Sequence, residues 1–205
     1  MGYYIRVLAV NSALPTDEEL RSCLPGTSSA ELVVESAGDD GWSQLVLRHR
    51  DGPEIALIER NVVAADELGS AEIAEFIEEV KGEKPESTAR WLEQFLPRVK
   101  VIYAFQLLGG TEVDDGWAAV HAVQSRMWAR CGGILQADGE GFTNEDGYHI
   151  LWQFSDTASG PWNMAIIDQQ GRWTRFEMDL GNEEHRAAFV RGMVPAGVKL
   201  RTVQV

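Results

Sequence analysis

This chain contains little cysteine and no long hydrophobic run. Cys23 and Cys131 are the two cysteines among its 205 residues, and their spacing fits neither a metal site nor a redox pair. Each falls on the apolar stripe of a predicted helix, so we expect two buried free thiols. No apolar run approaches the roughly 20 residues that a membrane-spanning helix needs, and no basic and apolar leader opens the chain. We therefore expect a cytoplasmic protein without membrane association.

Positive charge is also scarce. The formal net charge is −14, from 32 acidic and 18 basic residues. A field of this sign repels phosphate backbones, and the densest basic pairs, Arg48/Arg50 and Arg172/Arg175, fall in predicted hairpins, so we do not expect nucleic-acid binding. The acidity itself has two interpretations, because it either keeps the protein soluble or attracts a basic partner.

The common catalytic and cofactor-binding motifs are missing. The chain has no GxSxG nucleophile elbow, no GxxxxGK[ST] phosphate loop and no Rossmann glycine triplet. No two of the four histidines have the i, i+4 spacing of a helical zinc site, and neither cysteine lies near a histidine in a pattern typical of thiol enzymes. We therefore expect no cofactor and no resident metal.

What the sequence does contain is a regular succession of strand and helix patterns. The run 101–108 is apolar at nearly every position, which predicts a central strand that is covered on both faces. A helix pattern follows over 116–131, and 134–154 has the pattern of a hairpin. Residues 1–60 show the same order of strand, helix and meander. We predict an α+β fold of largely antiparallel sheets built from these units, with the helices packed on one face.

The length suits one large domain or two small ones. We predict a single α+β domain over 1–205, and the alternative is two similar subdomains, 1–97 and 98–205. A duplication would explain the repeated order of elements, but so would the commonness of such units, and no residue-level identity decides between them. The sequence leaves the oligomeric state open.

Capping and turn residues mark the ends of several elements. Thr16, with Glu19 three residues later, predicts a capping box at the start of a short helix. Ser70 and Asn182 predict the N-caps of two later helices. Gly52 predicts a left-handed residue in a hairpin turn.

The helix that Ser70 is predicted to cap has an apolar stripe and an acidic outer face. The stripe consists of Ile73, Phe76, Ile77 and Val80. The outer face consists of Glu72, Glu75, Glu78 and Glu79. If the protein has a macromolecular partner, we expect a basic protein that binds these four glutamates.

The loop 138–147 has carboxylates at alternate positions. Such loops suit Ca²⁺ or Mg²⁺, but Phe142 stands at a ligand position and the spacing does not fit a calcium loop. The alternative is a hairpin turn at 144–147, with the earlier glycines at a bulge. Asp138 and Glu140, two apart in a strand, would face the same side, as an acid–base pair requires. Two solvated carboxylates on an outer strand face would give the same pattern.

His121 lies on the apolar stripe of the 116–131 helix, between Trp117 and Trp128. It is a candidate general base or metal ligand, but this position is typical of a hydrogen-bonded core histidine.

Three functions fit these observations. We favour a non-catalytic protein-binding module of the inhibitor or immunity type, because the chain is acidic, has seven tryptophans and lacks catalytic motifs. The alternative is a metal- or carboxylate-dependent hydrolase that uses the 138–147 loop, with His121, Asp138 and Glu140 as candidate catalytic residues. The third is a structural subunit of a larger assembly.

Overall fold

The computed structural model describes residues 2–26, 28–64 and 67–201 of the chain. Within this part there are ten strands: β1 (Tyr3–Ala9), β2 (Ala30–Gly38), β3 (Gly41–His49), β4 (Glu54–Val62), β5 (Val101–Leu107), β6 (Ile134–Ala137), β7 (Gly141–Thr143), β8 (Pro161–Ile167), β9 (Trp173–Asp179) and β10 (Lys199–Arg201). The same part has five α-helices: α1 (Asp17–Ser22), α2 (Leu68–Val80), α3 (Glu86–Phe95), α4 (Gly116–Cys131) and α5 (Glu183–Val190). The fold is α+β with antiparallel sheets, as the sequence predicts.

The chain forms two compact units, and each unit takes residues from two separate stretches of sequence. The first unit comprises 1–71 and 99–134, and the second comprises 72–98 and 135–205. One boundary between them falls at residues 98 and 99. The predicted single domain, with subdomains 1–97 and 98–205 as its alternative, stays a prediction.

The first unit is built on five strands in the order β2-β3-β4-β5-β1, with each neighbouring pair antiparallel. β5 lies between β4 and β1, so that Phe105 stands opposite Ile58 on one side and Ile5 on the other. Residues 101–105 are all buried, and Tyr103 and Phe105 have no exposed surface. The continuous apolar pattern reflects burial on both faces, and the prediction of a central strand is confirmed.

α4 has the predicted bounds, and its buried face includes Val120, Gln124, Met127 and Cys131 of the predicted stripe but not Trp117 or His121. The buried positions are Gly116, Ala119, Val120, Val123, Gln124, Met127 and Cys131. Small residues set this face: a Cβ at Gly116 would lie 2.2 Å from the carbonyl oxygen of Gly110, so only glycine permits this approach. Trp117 is 37% exposed and His121 is exposed. The predicted buried stripe was wrong at Trp117 and His121. The prediction assumed that large aromatic residues, rather than small ones, lie on the buried side of the helix.

The second unit contains the antiparallel hairpin of β6 and β7 and a three-stranded antiparallel sheet in the order β10-β9-β8. Its apolar cluster includes Leu180, which directly follows β9, and residues of β8, β9 and α5: Met164, Ile166, Phe176, Met178 and Phe189. The predicted hairpin of β8 and β9 is confirmed. The last strand, Lys199–Arg201, pairs with β9, and 202–205 lie outside the described residues.

Two of the predicted caps are confirmed. The side chain of Thr16 accepts a hydrogen bond from the Glu19 N–H, and the Glu19 side chain accepts from the Thr16 N–H, which completes the capping box of α1. The side chain of Asn182 accepts from the N–H groups of Glu184 and His185 at the start of α5.

The predictions for Ser70 and Gly52 were wrong. α2 begins at Leu68, so Ser70 lies inside the helix, and its hydroxyl donates to the Ala64 carbonyl instead of capping. Gly52 does not have a positive φ. It fits the turn for a different reason, because a Cβ at this position would lie 3.0 Å from the Cβ of His49.

Candidate functional site

The predicted acid–base pair lies in a tight turn. β6 and β7 are joined by residues 138–140, so Asp138 and Glu140 do not belong to a strand and do not share a strand face. Both side chains are half-buried. His121 belongs to the first unit, whereas Asp138 and Glu140 belong to the second. The expectation that the two carboxylates lie two apart in a strand and face the same side was therefore wrong, because the hairpin turns earlier than its hydrophobic pattern suggests.

The rest of the 138–147 loop is a turn organised by Asn144. Its fully buried side chain accepts hydrogen bonds from the N–H groups of Asp146 (3.1 Å) and Tyr148 (3.0 Å). Asp146 in turn accepts from the guanidinium of Arg175, whose Nε lies 2.9 Å away. This is the predicted hairpin turn at 144–147. In the part of the chain that the structure describes, no group of three or more histidine, cysteine, aspartate or glutamate side chains is placed to hold a metal ion.

His149 follows this turn and links β7 to β8. Its N–H donates to the Asn163 carbonyl (2.9 Å), and its carbonyl accepts from the Ala165 N–H (2.8 Å). Beyond these bridges, 148–154 is not a regular strand, contrary to the prediction. The main chain bends away after His149, and the Trp152 N–H donates to the Lys84 carbonyl (2.9 Å).

The imidazole of His149 is buried among aromatic rings. It stacks on Phe154 with ring centroids 5.1 Å apart, and Trp162 meets it edge-on at 5.2 Å. Nδ1 lies 3.0 Å from the hydroxyl of Thr143, and burial lowers the pKa of His149 from 6.5 to about 4. The ring is therefore neutral at pH 7. Glu140 Oε2, 3.9 Å from Nε2, is too distant for a hydrogen bond and faces an uncharged ring.

His121 is not the core histidine that its position predicts. It is exposed and stacks on Trp117, with ring centroids 5.7 Å apart and an angle of 27° between the planes. This exposed aromatic pair leaves the imidazole accessible to solvent.

The predicted acidic face of α2 is present. Glu75, Glu78 and Glu79 are exposed and Glu72 is half-buried, whereas Ile73, Phe76 and Val80 are buried on the other side. Glu78 pairs with Lys81, and Glu79 accepts a hydrogen bond of 2.7 Å from the Gln153 side chain.

In the first unit, Ser29 and His49 form a hydrogen-bonded pair that was not predicted from the sequence. The Ser29 hydroxyl lies 2.8 Å from His49 Nδ1, and His49 Nε2 lies 3.0 Å from the Gly110 carbonyl oxygen. His49 is 5% exposed and Ser29 is exposed. The strand register pairs Ala30 with His49, which places the preceding serine beside the ring. Only the register reveals this neighbour, so no local sequence signal could have found it.

Cavities with charged linings occur in both units. One of about 420 Å³ in the first unit is lined by Ser29, His49, Arg50, Asp51, Gly52, Pro53, Val113 and Asp114. One of about 920 Å³ in the second unit includes Lys84, Arg90 and Arg191 in its wall, together with Glu86 and Asp168. Three basic and two acidic side chains line the larger cavity, so its lining carries charges of both signs.

Comparisons with protein-family models, with curated proteins and with solved structures find no match to this chain. Any functional proposal therefore depends on the residues themselves. Among the described helices, none is long and apolar enough to cross a bilayer.

Proposed function

We propose that this chain is a cytoplasmic protein-binding module of the inhibitor or immunity type, and that it recognises a basic partner through a non-catalytic surface formed by Glu72, Glu75, Glu78 and Glu79. The observation that carries the proposal is the exposure of Glu75, Glu78 and Glu79 on a helix whose opposite side is buried. The buried side fixes the orientation of α2, so the glutamates are presented on a rigid element.

The charges of the glutamate face support recognition of a basic partner. Like charges three or four residues apart on a helix repel each other by a few tenths of a kcal/mol, so an acidic face of this kind does not stabilise α2. Complementary charge on a partner removes the repulsion and accelerates the encounter. Glu75 is the central member, one turn from both Glu72 and Glu79.

Two measurements test this proposal. Proteins retained from a native lysate are identified, and the association rate of a retained partner is then measured at 0.01 M and 0.15 M salt. The Debye length falls from about 30 Å to about 8 Å over this range, so we expect the rate to fall steeply. The double change Glu75→Gln and Glu79→Gln should lower the rate at low salt.

The matched control is Glu183→Gln with Glu184→Gln, which removes two exposed charges from the start of α5 and should leave the rate nearly unchanged. An association rate that ignores both salt and the change at Glu75 and Glu79 would show that the proposal is wrong.

A hydrolase that acts through the 138–147 loop is the second candidate. It is favoured by one observation, the position of the Glu140 carboxylate beside the His149 imidazole. The neutral state of that imidazole at pH 7 allows it to accept a proton, but its low pKa makes it a weak base.

A further inference from the structure

The contacts of His49 determine which of its nitrogens bears the proton. The Gly110 carbonyl oxygen can only accept a hydrogen bond, so Nε2, 3.0 Å away, must be the donor. In the neutral ring Nδ1 is then unprotonated and accepts from the hydroxyl of Ser29 at 2.8 Å. The imidazole is thus held in the tautomer in which it can take a proton from the serine, with a backbone carbonyl as its orienting group.

The backbone on both sides of this pair is fixed. The Arg50 N–H donates to the Ser29 carbonyl (3.0 Å), and the His49 N–H donates to the Pro53 carbonyl (3.2 Å). The Gly52 N–H donates to the His49 carbonyl (3.2 Å). Ser29 directly precedes β2 and His49 is the last residue of β3, so the pairing of Ala30 with His49 places the two side chains at their 2.8 Å contact.

The pair opens onto space that could hold a small molecule. Ser29 is exposed while His49 is buried, so the hydroxyl is accessible and the base behind it is shielded from water. The cavity of about 420 Å³ beside them falls within the usual range for small-molecule sites. Arg50 lines the cavity and provides positive charge. Asp114 also lines it and, with φ +45°, is the only non-glycine residue of the described chain in the left-handed region.

We propose that Ser29 is a nucleophile activated by His49, and that this cavity accepts small acyl esters. The Ser29 oxygen forms a bond to the ester carbonyl carbon while its proton passes to His49 Nδ1. The bond from that carbon to the alkoxy oxygen breaks, and the alcohol leaves with the proton from His49. Water then attacks the acyl-serine in the same way, which releases the carboxylic acid and restores the hydroxyl. This activity lies in the first unit and does not rest on the proposed glutamate face.

A fluorophosphonate probe tests the nucleophile directly. Attack by Ser29 forms an O–P bond, breaks the P–F bond and releases fluoride, so the adduct is permanent and can be located by peptide mass spectrometry. We expect one adduct, at Ser29, and none in Ser29→Ala. His49→Gln, with its fold checked by circular dichroism, should slow labelling by about 100-fold or more, the usual contribution of a general base.

The wild-type chain provides two internal controls. Ser155 is exposed and its hydroxyl contacts Thr157 rather than an imidazole, so it should react far more slowly than Ser29. Thr143 has the same hydroxyl-to-Nδ1 contact with His149 but is buried, so it should not react. This comparison needs no variant and decides the question even if His49→Gln fails to fold.

The substrate class is tested with p-nitrophenyl acetate. Release of nitrophenol together with an acetyl adduct at Ser29 supports the proposal. The assignment of Ser29 as a nucleophile would be wrong if Ser29 formed no fluorophosphonate adduct or were labelled no faster than Ser155. It would also be wrong if the labelling rate were unchanged in folded His49→Gln. Failure of acetylation would overturn the assignment to acyl esters.

Discussion

His49 and His149 show how the partner of one nitrogen decides what a histidine can do. In each ring Nδ1 lies within hydrogen-bond distance of a hydroxyl group, which belongs to Ser29 for His49 and to Thr143 for His149. At Nε2 they differ, because His49 meets a carbonyl oxygen whereas the buried Nε2 of His149 has no hydrogen-bond partner. The tautomer is therefore set in the first case only. The second ring is buried among aromatic side chains, and this burial favours its uncharged form.

Protonation of His149 should couple folding to pH. Burial lowers its pKa to about 4 from 6.5, so below pH 6.5 the unfolded chain binds a proton that the folded chain excludes. The contribution to the free energy of unfolding is complete above pH 6.5 and is lost as the pH falls towards 4, to a total of about 3 kcal/mol. In urea denaturation, wild type should lose this free energy between pH 7 and 4.5 relative to His149→Gln.

His121→Gln is the control, because this histidine is exposed and its removal should leave the pH dependence of wild type intact. Identical pH profiles for wild type and His149→Gln would contradict the assignment.

At the scale of elements, β5 is an interior strand of the first unit, paired with β4 on one side and β1 on the other. Phe105 has no exposed surface and lies between two paired strands. Phe105→Ala should lower the free energy of unfolding by about 3 to 5 kcal/mol, through lost burial and the cavity left behind. Val62→Ala on β4 is the control, since Val62 is 43% exposed and its truncation should cost much less. Equal losses in the two variants, measured by urea denaturation, would rule out β5 as a buried central strand.

Elements were predictable where one strong local pattern decides them. The continuous apolar run of β5, the capping box at Thr16 and the cap at Asn182 each depend on nearby residues, and each was found from the sequence. The burial of α4 was predicted wrongly at Trp117 and His121, because tertiary packing of Gly116 against the Gly110 carbonyl, and not the aromatic pattern, determines which side of the helix is buried. The contact between Ser29 and His49 was missed for the same reason: strand pairing, not sequence proximity, brings them together.

At the scale of the whole molecule, the net charge of −14 should attract cations weakly, but it should not create a specific metal site. Asp138 and Glu140 lie in a turn, and Asp146 is already bound to Arg175. We therefore expect calorimetry with Ca²⁺, Mg²⁺ and Mn²⁺ at neutral pH to show only weak binding that salt abolishes. Micromolar affinity that is lost in both Asp138→Ala and Glu140→Ala would contradict this expectation and support the hydrolase that uses the 138–147 loop.

The interleaved path of the chain through its two units sets an order for folding on the ribosome. β2, β3 and β4 are consecutive and can pair as soon as they emerge, whereas Tyr3 on β1 must wait for Leu107 on β5. A nascent chain that ends near residue 98 therefore presents β1 and the free side of β4 without their common partner. Unpaired strand edges of this kind recruit neighbouring chains, so we place the period of greatest aggregation risk before β5 is synthesised.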